Sequence, residues 1–307
     1  GSGGIVIFYG GTVTASLLLS DTDTSGFGSA IVEYQPDPLA LPGRHLGWYL
    51  HAVGPTAGPL DPDDDLVVAY EDDIYSIGES LYILRGNGAR PSAPLTQRAF
   101  TVGRDVRIDL VTSYDVTELG AQAVSIGDLD GDGSSDLAIS AYRNLNGAGQ
   151  VLVIDGDTVG TDGVAKTNQP GVVLTTIQGT SGMRLGAALA AHDTRSTNDI
   201  DGDGDADLLV GGVVDNVAHL FVWFGGTLPL GATTPSTAAA SIIGPSVFSF
   251  SAARPHGPAG QARWVGDLNG DGLDDLCWSS PYDNATGLDG AFAVLFDGAP
   301  DPAAGSR

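Results

Sequence analysis

The chain has 307 residues, a formal net charge of -25 and a pI near 4.1. Only 13 residues are Lys or Arg, which argues against nucleic acid and anionic membranes as partners, since both are met by neutralising phosphate. A 42% hydrophobic and only 17% charged composition does not suit a disordered acidic chain, no apolar run reaches the roughly 18 residues of a membrane span, and the single cysteine, Cys277, rules out a disulfide framework.

Taken in chain order, Gly1 and Ser2 read as a cloning scar, so the chain is expected to be a piece of something longer. The segment IVIFY at 5–9 reads as a strand, and ASLLLS at 15–20 as a second one. Residues 1–45 are expected to form a partial or divergent unit. From Leu46 onward the sequence repeats. The pairs Leu46-Gly47, Leu119-Gly120 and Leu185-Gly186 fall about 65 to 75 residues apart, and a fourth unit opens at Gly260. The expected units are 46–118, 119–184, 185–259 and 260–307.

Each unit has one grammar. A short apolar strand (A) runs into an acidic loop. Strand B follows as LVVAY, LAIS, LLVGG or LCWS. Strand C comes after a turn as SLYILRG, GQVLVIDG, AHLFVWFGG or GAFAVLFDG. A weaker strand D closes the first three units as FTVGRDVRIDL, VVLTTIQG or ASIIG. Short strands rich in β-branched and aromatic residues, joined by Gly, Asp and Asn, fit antiparallel hairpins. No segment holds a helical period over three turns. The fold class is therefore all-β, a β-propeller of four-stranded antiparallel blades, with four to five blades visible.

The Leu-Gly pair, the Asp-x-Asp-x-Asp-Gly-x-x-Asp loop and the strand ending GxVxVxxG resemble FG-GAP repeats, the calcium-bearing blades of integrin α-subunit propellers. The resemblance extends over nearly the whole chain in four units and is most specific in units two to four. The first unit departs from it, with Pro55 at the first ligand position. The resemblance implies a propeller that usually has seven blades, so either residues 1–45 build a divergent fifth blade or the chain is part of a larger ring. Its bare blade edges are expected to be closed by missing chain, a partner fragment or self-association.

The acidic loops carry the chemistry. Ca²⁺ takes six to eight oxygens. Carboxylates at loop positions 1, 3, 5 and 9, with a backbone carbonyl at 7, can wrap one ion. Asp128, Asp130, Asp132, Ser134 and Asp136 fill those places in unit two, with Ser134 giving its carbonyl. Asp199, Asp201, Asp203, Asp205 (carbonyl) and Asp207 fill them in unit three. Asp267, Asn269, Asp271, Leu273 (carbonyl) and Asp275 fill them in unit four. Gly133, Gly204 and Gly272 stand at position 6, where a sharp turn needs φ > 0. An EF-hand would need Glu at position 12 and helical flanks, but Ile139, Val210 and Trp278 stand there between strands. The cofactor is thus expected to be Ca²⁺, about three ions. The plain alternative is a solvated Asp/Gly turn.

Other candidates are weaker. Tyr142, Arg143, Asn144, Asp215, Asn216, Tyr282, Asp283 and Asn284 follow strand B and are expected on the rim opposite the acidic loops. There the family resemblance implies partner docking. The four tryptophans read as blade packing before sugar platforms. No nucleophile elbow, zinc-protease motif or phosphate loop occurs. The leading expectation is an extracellular, calcium-stabilised binding or adhesion module without catalysis of its own, for a protein or glycan ligand at a cell surface. The alternatives are the propeller of a secreted carbohydrate-active enzyme, resembling a polysaccharide lyase, and an architectural spacer in a larger surface protein.

Overall fold

A computed structural model of the chain describes residues 5–8, 31–34, 44–56, 63–72, 80–86, 105–111, 118–158, 163–191, 207–215, 217–244, 261–264, 268, 275–280 and 291–295. The fold is all-β, of propeller type. Strands β1 (Ile5–Phe8) and β2 (Ile31–Tyr34) form an antiparallel pair. The predicted strand at 15–20 lies outside the described residues.

Blade one comprises β3 (Arg44–Val53), β4 (Asp65–Asp72), β5 (Ser80–Leu84) and β6 (Val106–Asp109). Blade two comprises β7 (Leu119–Ser125), β8 (Leu137–Ala141), β9 (Gln150–Ile154) and, after the short β10 (Val164–Lys166), β11 (Val173–Gln178). Blade three comprises β12 (Ala188–Ala190), β13 (Leu208–Val214), β14 (Val217–Trp223) and, after β15 (Gly231–Thr233), β16 (Ala240–Ile243). In blade four β17 (Gln261–Trp264), β18 (Leu276–Ser280) and β19 (Ala291–Leu295) pair in order. These are strands A to D of blades one to three and strands A to C of blade four.

Two features depart from the four-stranded antiparallel expectation. β10, which follows strand C of blade two, pairs in parallel with β6 of blade one. β15 does the same for β11 of blade two. Each donated strand makes a five-stranded sheet and covers the outer edge of the preceding blade, where unpaired N–H and C=O groups would otherwise invite association. The second departure is a single helical turn, α1 (Asn144–Gly147), between β8 and β9.

The cores lie between blades. Leu137, Ile139, Leu152 and Ile154 pack toward blade one, beside Val67, Leu81 and Ile83. The alternating residues Ala138, Val151 and Val153 pack toward blade three, beside Leu208, Val210 and Trp223. Leu209, Leu220 and Val222 continue into blade four, beside Ala262 and Trp278. Successive side chains point to opposite faces, and both faces are buried. That is why strands B and C read as unbroken apolar runs.

The Leu-Gly pair has a structural reason. The β7–β8 register shifts between Leu119 and Ala123, and Gly120 sits in the bulge with φ +78°. A Cβ there would lie 2.6 Å from the Ala69 Cβ of blade one. Glycine therefore permits both the left-handed backbone and the close approach of blades. Gly186 repeats this one blade on, with φ +90° and a would-be Cβ 3.0 Å from the Ser140 and Val151 side chains.

The inner strands β3, β7, β12 and β17 lie side by side in that order. In sequence each acidic stretch follows an inner strand, and in blade two the described loop leaves the C-terminal end of β7. No described helix is long and apolar enough to cross a membrane.

Candidate metal centre

In blade two the loop between β7 and β8 is closed by its own backbone. Ile126 N–H donates to Asp136 O at 2.9 Å, and Asp136 N–H donates to Gly127 O at 2.7 Å. The Asp136 carboxylate, fully buried, then acts as a latch. Its Oδ2 accepts from Leu129 N–H at 2.8 Å, and its Oδ1 from Gly156 N–H at 3.0 Å. One side chain thus ties the loop to the end of strand C.

Asp128 organises the turn. Its Oδ1 accepts from the N–H groups of Gly131 (2.7 Å) and Asp132 (3.0 Å), and its Oδ2 from that of Gly133 (2.8 Å). Asp132 Oδ1 accepts from Ser134 N–H at 2.7 Å. Gly131 and Gly133 take φ +83° and +93°, as a loop this tight requires. Ser134 is buried.

Two carboxylate trios result. Asp128, Asp130 and Asp136 bring ligand atoms within 4.8 Å of one another, and so do Asp130, Asp132 and Asp155. Asp155 was not anticipated. It follows strand C, and the pairing of Leu137 with Ile154 sets it opposite Asp136. Its signal in the sequence was the ending VIDG, legible only once the β8–β9 register is known.

Burial pushes the Asp136 carboxyl up to about 7, against the pull of the Gly156 and Leu129 N–H groups, and the nearby Asp130 and Asp155 charges add to the rise. Burial, with Asp132 and Asp130 nearby, also raises Asp155. Among the described residues no Lys or Arg pairs with these five carboxylates. An all-oxygen donor set with crowded negative charge fits a hard divalent cation such as Ca²⁺.

The latch recurs. Asp207 in blade three is buried and accepts from Gly225 N–H at 2.8 Å. Asp275 in blade four is buried, its Oδ2 accepts from Leu268 N–H at 2.7 Å, and its Oδ1 has no hydrogen-bond partner among the described residues. The remaining predicted ligands, Asp199, Asp201, Asp203, Asp205, Asp267, Asn269, Asp271 and Leu273, lie outside the described residues.

Blade one keeps the latch and changes the rest. Asp65 accepts from Thr56 N–H (2.9 Å), from the Thr56 hydroxyl and from Gly86 N–H (2.8 Å). Arg85 stands where blade two has Asp155, because Leu84 pairs with Leu66 as Ile154 pairs with Leu137. The Arg85 guanidinium is buried and donates to Gly156 O of blade two at 2.8 Å. Burial raises the Asp65 carboxyl, while its hydrogen bonds and the Arg85 charge draw it back down.

On the opposite rim, Tyr142 and Asn144 are buried. Asn144 donates its side-chain N–H to Gln150 Oε1. Arg143 pairs with buried Glu118 at 3.0 Å, and Glu118 also accepts from the Tyr49 hydroxyl at 2.7 Å. Asp215 is exposed, at a left-handed turn with φ +50°. Asn216, Tyr282, Asp283 and Asn284 lie outside the described residues.

Residues 120–154 match the FG-GAP repeat family. The match runs from the Gly120 bulge through the metal loop to the end of β9, which is strands A to C of blade two. A search of the curated proteins finds no match to the chain.

Proposed function

We propose that this FG-GAP repeat chain is a calcium-stabilised extracellular binding or adhesion module without catalysis of its own. The observation that supports it best is the pair of carboxylate trios sharing Asp130, crowded around a latch that no basic side chain among the described residues neutralises. FG-GAP repeats are often calcium-binding and are typical of extracellular proteins. Extracellular modules commonly bind Ca²⁺ at about 10⁻⁴ to 10⁻³ M, concentrations the cytosol does not supply.

In this reading blades two, three and four each hold one ion. In blade two Asp128, Asp130, Asp132 and Asp136 are the carboxylate ligands, the Ser134 carbonyl completes the set, and Asp155 adds charge at its edge. The ion offsets the repulsion and fastens strand A to strand B, so its binding energy adds to the stability of the fold. Blade one is metal-free, with Arg85 supplying the positive charge.

The partner, a protein or glycan at a cell surface, docks on the rim opposite the calcium loops. There the described residues offer Arg143 and Asp215.

The reading is tested by binding of the chain to arrays of cell-surface glycans and receptor ectodomains, in calcium and in excess EGTA. A ligand retained in calcium, lost in EGTA and chemically unaltered supports it. Turnover of a bound glycan would move the assignment to the enzyme reading, and a chain indifferent to calcium would remove it.

A further inference from the structure

At the acidic-loop end of the four inner strands lies a cavity of about 290 Å³, near the small end of the range for ligand pockets. Its walls come from β3, β7, β12 and β17 together, so it exists only because the blades are assembled. Val53 and Val124 give it apolar surface, and His51, Ser125, Arg263 and Trp264 give it polar groups. Among the described residues no acidic side chain lines it, in a chain of net charge -25.

Two of those polar groups are unspent donors, and a third, Arg263, is only partly spent. Arg263 anchors one guanidinium nitrogen on two backbone carbonyls, Leu189 O at 3.2 Å and Ala262 O at 3.0 Å. Among the described residues no carboxylate pairs with it. Ser125 is buried to 4% exposure, yet among the described residues its hydroxyl has no partner, and the buried indole N–H of Trp264 has none either. Burying a hydroxyl or an N–H unmade costs about 1–3 kcal/mol each, and such groups need a partner or a ligand. His51 is already engaged, its Nε2–H donating to Gly120 O at 3.1 Å.

We propose that this axial cavity binds a small monocarboxylate, with Arg263, the Ser125 hydroxyl and the Trp264 indole N–H around the carboxylate. One guanidinium matches one negative charge, and charge-assisted hydrogen bonds favour a carboxylate over a neutral group. A doubly charged phosphate would leave a charge uncompensated. The Trp264 ring and the two valines receive the carbon body. The ligand's source is either a sugar acid or the carboxyl end of a peptide. The proposal is separate from the calcium reading, because none of the described calcium ligands Asp128, Asp130, Asp132, Ser134, Asp136, Asp207 and Asp275 lines the cavity.

Calorimetric titration of the full chain in saturating calcium tests it, with glucuronate and N-acetylalanine as probes. Their methyl esters and inorganic phosphate serve as comparisons. Saturable binding of either acid, at least about tenfold tighter than its ester and than phosphate, is expected. The tighter acid names the source. Arg263→Gln should weaken it about tenfold or more, and Ser125→Ala about three- to tenfold. Ser125→Ala removes a group with no partner in the free protein, so it keeps the test decisive if Arg263→Gln fails to fold. Absence of saturable binding by both acids, equal affinity for acid and ester, or a folded Ser125→Ala with undiminished affinity would overturn the proposal.

Discussion

Across the β4–β5 pair of blade one, Arg85 faces Asp65; across the β8–β9 pair of blade two, Asp155 faces Asp136. Both aspartates are buried and both accept the N–H of the glycine that follows strand C, Gly86 or Gly156. The latch is therefore common to the two corners, and the charge beside it differs in sign. Blade one carries its cation on its own chain. Blade two gathers carboxylates with no basic partner among the described residues, and on the calcium reading its cation comes from solution. The contrast separates two roles that a motif of spaced aspartates merges: position 9 holds the hairpin together, and positions 1, 3 and 5 are the ones the calcium reading assigns to the ion.

The largest effect expected from this contrast is loss of the shared latch. Asp136→Ala strands the Leu129 and Gly156 N–H groups in the interior, and it should cost about 3 kcal/mol or more in urea unfolding, with or without calcium. Asp65→Ala should cost a similar amount in blade one. If either is neutral, the latch is not structural.

Next comes Arg85→Gln. It removes the buried charge of blade one and a bond to Gly156 O, so about 1.5–3 kcal/mol of destabilisation is expected, equal in calcium and in EGTA. A loss that calcium repairs would mean that blade one binds metal after all. Gly120→Ala, at φ +78° and with Ala69 2.6 Å from the new methyl, should cost about 1–3 kcal/mol through strain and separation of the blades.

Smaller but more discriminating is Asp130→Asn, which should change sign. With calcium it removes a ligand and lowers the melting temperature. In EGTA it relieves repulsion between the two trios and raises it. Melts in both buffers read the difference, and one direction in both would contradict the role given to Asp130.

The smallest effect is in pH. Burial holds the His51 imidazole below its ordinary value, and the Arg263 charge adds to this, against hydrogen bonds to Gly120 and Ala121. Below the ordinary histidine pKa the unfolded chain therefore binds a proton that the folded one refuses, and stability falls as pH drops through that range. His51→Gln should flatten that part of the pH dependence of urea melts, and an unchanged slope would show that His51 titrates alike in both states.

Much of this was legible in the sequence. The apolar runs of strands B and C, the Leu-Gly bulges and the glycines of the acidic loop each answer to local geometry, so they could be placed from residues alone. What was not legible depended on pairing between distant segments. VAK and GAT are three-residue stretches with no alternation, and only a neighbouring blade's edge makes them β10 and β15. Asp155 and Arg85 look like ordinary strand ends until the hairpin register sets them opposite Asp136 and Asp65. Tyr142 and Asn144 carry turn chemistry, yet the helical turn at Asn144–Gly147 and the packing of Tyr142 with Ala187 and Val213 bury them. The axial cavity is assembled from four strands far apart in the chain, and no local pattern announces it.

The most direct test of the account is a count of bound calcium by equilibrium dialysis, made on the wild type and on Asp130→Asn. The account predicts about three ions per chain, falling by one in the variant. No bound calcium, or a count that Asp130→Asn leaves unchanged, would contradict it.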